Sequence, residues 1–192
     1  MKKMTKLVAG ALTAAAIFFG TNVASAQSTP KSAWRFGIGV DGLAPVGKLH
    51  DVSNVGLGIT PRLQYGISDA LALTLTSGYY NFFGKNINAA GGVNSGYKSK
   101  SFGMVPVKAG VKAFVSKNFY LDGEVGAAFE TSHFGDYEGR VGQNPKQTKL
   151  IASPGIGWAN QTWDIGARYE NFSGQSTNFG TLGLRIAYGF GL

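Results

Sequence analysis

The chain of 192 residues has no cysteine and only two histidines, His50 and His133. Without thiols, disulfides and thiolate metal sites are excluded, and two isolated imidazoles do not supply a metal-ligand set, so no metal and no cofactor is expected. Acidic residues are also scarce, 10 against 18 Lys and Arg, which leaves a formal net charge of +8. Beyond residue 26 no uninterrupted apolar run approaches the ~20 residues of a membrane-spanning helix. If that part of the chain crosses a membrane, it must cross as strands.

The N-terminus carries the three parts of a secretion signal. Lys2, Lys3 and Lys6 come first, an apolar stretch follows from Leu7 to Gly20, and Ala24-Ser25-Ala26 closes it with small residues at a cut site. The apolar stretch is too short to stay as an anchor, and no cysteine follows it to carry lipid. Residues 1–26 therefore read as a cleaved signal peptide, and 27–192 as a single domain beginning at Gln27.

What the chain has in abundance is alternation. From Thr181 to Leu192 every even position is apolar (Leu182, Leu184, Ile186, Tyr188, Phe190, Leu192), with small, polar or charged residues between. A period of two places one kind of residue on each face of a strand. The same pattern predicts strands at about 34–43, 55–65, 70–82, 103–115, 119–130, 149–159, 162–172 and 179–192. Tight connections at 66–69, 116–118 and 160–161 alternate with long Gly-, Asn- and Ser-rich ones at 44–54, 83–102, 131–148 and 173–178. Short turns on one rim and long loops on the other is the layout of an eight-stranded antiparallel up-and-down transmembrane β-barrel.

The two faces differ in a way that separates this fold from a soluble sandwich or lipocalin-like barrel. One face is oily, with aromatics near strand ends, as membrane interfaces require. The other is rich in glycine (Gly37, Gly39, Gly58, Gly110, Gly126, Gly157, Gly189 and more), which suits a crowded interior. That second face also carries Arg35, Arg62, Lys108, Lys112, Arg168 and Arg185 against Asp41, Asp122, Glu124, Glu130, Asp164 and Glu170. These twelve charges are expected to form a luminal ion-pair network, because charges withdrawn from water persist only when paired. Pro61, Pro106 and Pro154 fall inside strands, where each lacks a ladder donor, and bulges or bends are expected there.

In this arrangement the whole of 27–192 resembles the small eight-stranded outer-membrane barrels of the OmpA/OmpX type, the porin-like outer membrane protein beta-barrel domains. The last strand is similar to their C-terminal insertion signal, with Tyr188, Phe190 and Leu192 in its alternating positions, although the family favours a final aromatic and this chain ends in Leu192. The resemblance implies a bacterial outer-membrane location and contact with lipid, lipopolysaccharide and the barrel-insertion machinery. It implies no particular chemistry.

Three functional classes compete. A structural, envelope-integrity or loop-mediated adhesion role needs only the barrel and an extracellular ligand for its loops. A narrow porin-like channel for small solutes needs a continuous water path through the lumen. A lipid-A-modifying rim enzyme needs His50 beside Asp51 and Ser53, or His133 beside Ser132, in a catalytic arrangement. No motif supports catalysis, and Gly91-Gly92-Val93 lacks the helix that a phosphate loop requires. Lys48, Lys85, Lys98, Lys100, Arg140 and Lys146 make the long-loop rim basic against Asp51, Asp136 and Glu138, which suits anionic lipopolysaccharide. No nucleic acid is expected at that address.

Overall fold

The computed structural model describes residues 30–50, 53–84, 86–88, 94–98, 100–131, 146–174 and 178–192. Strands form where the period-two pattern runs: β1 (Trp34–Val46), β2 (Ser53–Ser68), β3 (Leu71–Ser77), β4 (Tyr79–Gly84), β5 (Asn86–Asn88), β6 (Asn94–Lys98), β7 (Phe102–Phe114), β8 (Phe119–Glu130), β9 (Thr148–Ala159), β10 (Trp163–Ser173) and β11 (Phe179–Gly191). β3 and β4 are the two halves of one barrel strand, and β5 pairs with β6 in a separate two-stranded ribbon inside the second long connection. That ribbon falls in a stretch whose sequence reads as loop.

The sheet closes on itself. β1 pairs with β2 on one side and with β11 on the other, from Arg35 opposite Gly191 to Val46 opposite Gly180. Every pairing between the barrel strands is antiparallel, so the architecture is a closed eight-stranded barrel with no free edge. Three tight turns join strands at one rim. In one of them, the Asn160 side-chain oxygen accepts from the N–H groups of Thr162 at 2.8 Å and Trp163 at 2.6 Å, a side-chain-stabilised turn.

The oily face points outward. Leu184 is 67% exposed, Ile156 60% and Val125 64%, while their sequence neighbours Arg185 and Glu124 are nearly inaccessible. Aromatic pairs gather on the short-turn side of that face: Trp34 with Tyr65 at 4.8 Å between ring centres, Trp163 with Tyr188 at 5.5 Å, and Phe36 with Phe190 at 5.5 Å.

The prolines are accommodated by gaps in the ladder rather than by bulges. β2 pairs with β4 up to Ile59 opposite Tyr79 and with β3 from Arg62 opposite Thr76, in one continuous phase. Pro61 therefore sits at an interruption that keeps the register. Pro106 faces the same interruption from β7, between Ser77 opposite Val107 and Tyr80 opposite Met104. Gly78 occupies its centre with φ +154°, where a Cβ would lie 2.9 Å from the Thr60 Cα. Pro154 faces a comparable gap between β9 and β10, flanked by Arg168 opposite Gly155 and Asn171 opposite Ala152. Missing donors on one side of a strand cost no register because the other side pairs without a break.

Candidate functional site

The interior is layered, and each layer comes from the inward positions of named strands. At the long-loop end lies an apolar layer of Leu43, Tyr80, Phe82, Phe102, Met104, Ala128, Ile151, Phe172 and Phe179, closed from above by Leu49 of a short 3-10 turn at Gly47–Leu49. Phe82 stacks on Phe102 with centres 5.0 Å apart, and Phe172 on Phe179 at 4.9 Å. At the short-turn end Phe114 and Tyr120 meet edge to face at 5.8 Å beside Ala159. Charge occupies the space between.

Eight charged side chains there form one unbroken chain of ion pairs. Arg62 lies 3.8 Å from Asp122 and 3.2 Å from Glu124, and Glu124 lies 3.3 Å from Lys108. Lys108 then pairs with Glu170, Glu170 with Arg168 at 3.0 Å, Arg168 with Asp41 at 2.6 Å, and Asp41 with Arg185 at 3.9 Å. Four cations alternate with four carboxylates contributed by β1, β2, β7, β8, β10 and β11. Lys112 and Asp164 form a separate pair, and the Tyr120 hydroxyl donates to the other Asp164 oxygen at 2.6 Å.

Neutral groups complete the satisfaction of these charges. Thr60 donates to Asp41 at 2.5 Å, and Thr76 to Glu124 at 2.6 Å. The Tyr80 hydroxyl donates to Glu170 at 3.1 Å and in turn accepts from Arg168 at 3.0 Å. Such hydrogen bonds are what a buried ion pair needs in order to offset its desolvation. Arg35 and Glu130 stand at opposite ends. Arg35 donates to the Asn160 carbonyl at 2.8 Å, and Glu130 accepts from the Gln147 N–H at 3.1 Å.

All twelve luminal charges named from the sequence thus point inward, with Asp122 keeping 7% of its side chain accessible. Two interior features escape the sequence reading. Lys149 is a further buried cation, hydrogen-bonded to Gln147 at 2.7 Å, so the inward charges among the described residues are seven positive and six negative rather than six of each. The apolar layer was also not legible as interior. Tyr79-Tyr80 and Phe82-Phe83 place an aromatic on both faces of β4, which erases the alternation by which inside and outside are told apart.

Glycines in the lumen receive the large side chains of neighbouring strands. A Cβ built at Gly39 would lie 2.6 Å from the Arg185 guanidinium, one at Gly58 2.5 Å from the Tyr80 ring, and one at Gly56 2.7 Å from the Phe82 ring. Gly42, whose Cβ would meet nothing within 4 Å, has no such role. The interior is therefore filled by interlocking large and absent side chains, which is how an eight-stranded barrel packs.

At the long-loop rim Lys100 and Lys146 are exposed. The side chains of Lys48, Lys85 and Lys98 lie outside the described residues, as do Arg140, Asp51, Asp136, Glu138, Ser132 and His133. His50 is exposed just after the 3-10 turn, whereas Ser53 is buried with its hydroxyl directed at the carbonyls of Phe83 (2.8 Å) and Val55 (3.2 Å). A hydroxyl so engaged is not presented to a substrate at the rim.

No protein-family model matches the sequence, and no curated protein matches it. Solved structures do. The attachment invasion locus protein Ail of Yersinia pestis is similar over 83% of this chain and 99% of its own, with 17% identity and a TM-score of 0.57. The same protein in complex with the heparin analogue sucrose octasulfate is similar over the same share of each chain, with 18% identity and a TM-score of 0.55. The outer membrane protein OprG of Pseudomonas aeruginosa covers 86% of this chain and 98% of its own at 11% identity, with a TM-score of 0.50. Sequence identities this low speak to the backbone alone. The chain has the fold of the small eight-stranded outer-membrane β-barrels.

Proposed function

We propose that the protein is a non-enzymatic outer-membrane barrel, inserted after removal of residues 1–26, that serves envelope integrity or loop-mediated attachment rather than transport. The observation that carries this reading is the eight-membered ion-pair chain from Asp122 to Arg185, capped by the Leu43 to Phe179 apolar layer. A wide water path would have to run through both. The outward belt of Leu, Ile, Val and aromatics supports a bilayer as its surroundings, since a soluble barrel would not expose Leu182, Leu184 and Ile186 in succession along one strand.

The partner class proposed for the rim is a polyanion, with lipopolysaccharide the one present at that address. Exposed Lys100 and Lys146 support it, together with the surplus of basic over acidic residues in the long connections. Ail was solved with a polysulfated heparin analogue, and the shared fold makes a polyanion a sensible first probe here. The barrel-insertion machinery is proposed to read Tyr188, Phe190 and Leu192, whose side chains stand on the outer face of β11 or at its end.

A planar-bilayer recording on refolded protein tests the closed lumen. The expected trace is quiet; steady, large unitary currents would replace this reading with the channel. Binding of refolded protein to lipopolysaccharide-containing vesicles, weakened by salt, tests the rim.

A further inference from the structure

Four luminal residues on four adjacent strands line up in one row. Glu170 of β10 is in register with Thr181 of β11, and Glu124 of β8 with Ser153 of β9. The pairs flanking the β9–β10 gap, Arg168 with Gly155 and Asn171 with Ala152, set Ser153 opposite Glu170. Thr181 and Glu170 are fully buried, and Ser153 and Glu124 are 2% exposed.

Each of the four holds an oxygen that makes no hydrogen bond among the described residues: Thr181 Oγ1, Glu170 Oε2, Ser153 Oγ and Glu124 Oε2, the last of them facing the Lys108 ammonium at 3.3 Å. The other carboxylate oxygens are heavily used. Glu170 Oε1 accepts from Lys108, Arg168 and Tyr80, and Glu124 Oε1 from Thr74 and Thr76. Among the described residues Thr181 Oγ1, Ser153 Oγ and Glu170 Oε2 face no such charge, and a buried oxygen left without a partner keeps the full penalty of its desolvation. They need donors.

We propose that the lumen binds a row of ordered water molecules along Thr181, Glu170, Ser153 and Glu124, directly beneath the apolar layer. Side chains opposite one another on adjacent strands stand about 4.5–5.5 Å apart. One water accepting or donating at about 2.8 Å on each side spans that distance. Two hydroxyls offer donors and acceptors, two carboxylates offer acceptors, and the interruption of the β9–β10 ladder at Ser153 and Glu170 adds main-chain groups to the same place. A buried water needs two to four such partners.

Water fits this row better than an ion. The network around it already balances Arg62, Lys108, Arg168 and Arg185 against Asp41, Asp122, Glu124 and Glu170, and an added cation would sit beside Lys108 and Arg168. The next inward pair along β10 and β11 is Phe172 opposite Phe179, so the waters end where the stacked rings begin.

The test is a crystal structure of the refolded full barrel at a resolution that shows ordered water, together with the Thr181→Val and Ser153→Ala variants. Water is expected within hydrogen-bond distance of Glu170 Oε2 and Thr181 Oγ1 in the unmodified protein. Thr181→Val, which keeps the shape and deletes the hydroxyl, is expected to lose the water nearest it while those at Ser153 stay, and Ser153→Ala the reverse. Direct hydroxyl-to-carboxylate hydrogen bonds with no water between them would overturn the proposal. Should a variant fail to insert, the unmodified protein decides alone, because water either bridges those oxygens or does not.

Discussion

Lys108 of β7 and Glu170 of β10, three strands apart around the barrel, meet across the lumen in a pair with no access to solvent. Tyr80 and Arg168 share the same Glu170 oxygen, so this contact ties three strand segments, β4, β7 and β10, together at one point. Burial is what gives it weight. An exposed pair is worth about 0–1 kcal/mol, whereas deleting one partner of a buried pair leaves the other charged and unmatched, at about 3–5 kcal/mol.

Replacing Glu170 by Ala is therefore expected to destabilise the barrel by about 3–5 kcal/mol, with Glu124→Ala similar, because each takes a carboxylate partner from two buried cations at once. Asp69→Ala, at an exposed turn, should change stability by less than about 0.5 kcal/mol. Urea unfolding in lipid vesicles, followed by the gel shift between folded and heated protein, measures all three. Equal effects would mean the lumen is wet enough to screen its charges.

The outward face is tested by Leu184→Arg. If Leu184 lies near the bilayer midplane, the substitution should cost about 2–4 kcal/mol, against a near-neutral Lys100→Ala at the rim. Comparable losses at the two sites would reverse the assignment of faces.

Two glycines separate packing from backbone effects. Gly58→Ala drives a methyl group into the Tyr80 ring and should cost about 1–3 kcal/mol through overpacking, whereas Gly42→Ala enters open space and should be neutral or slightly stabilising. The same unfolding measurement distinguishes them. A neutral Gly58→Ala would show that Tyr80 can move aside without loss.

The apolar layer predicts a conductance effect. Phe172→Ala combined with Phe179→Ala removes a stacked pair from the long-loop end of the lumen. Single-channel recording should show small, flickering currents in the double variant and none in the parent. Silence in both would assign closure to the ion pairs beneath.

Processing is the simplest outcome to check. Mass spectrometry of the membrane-extracted protein should find a chain that begins at Gln27. Retention of Met1 in that fraction would contradict the signal-peptide reading.

Strand number, strand order and the two faces were legible because side chains on a strand alternate with a period of two, and Arg185 between Leu184 and Ile186 declares its side without reference to anything distant. The twelve inward charges follow from the same local rule. Which of them meet does not, since Arg168 and Asp41 are 127 residues apart and come together only when β1 closes on β11 and the register of every intervening strand is fixed. Lys149 obeys the same rule, as the first residue of the predicted strand 149–159 and the neighbour of outward Leu150, yet it was not among the inward charges named from the sequence. The apolar layer was hidden for the opposite reason: where β4 is oily on both faces, alternation carries no information, and only the closed wall decides that Tyr80 and Phe82 turn inward while Tyr79 and Phe83 face out. Local chemistry thus determined the barrel and its faces, and the closure of the sheet decided how its interior is partnered, because partners across a lumen are set by register and not by sequence distance.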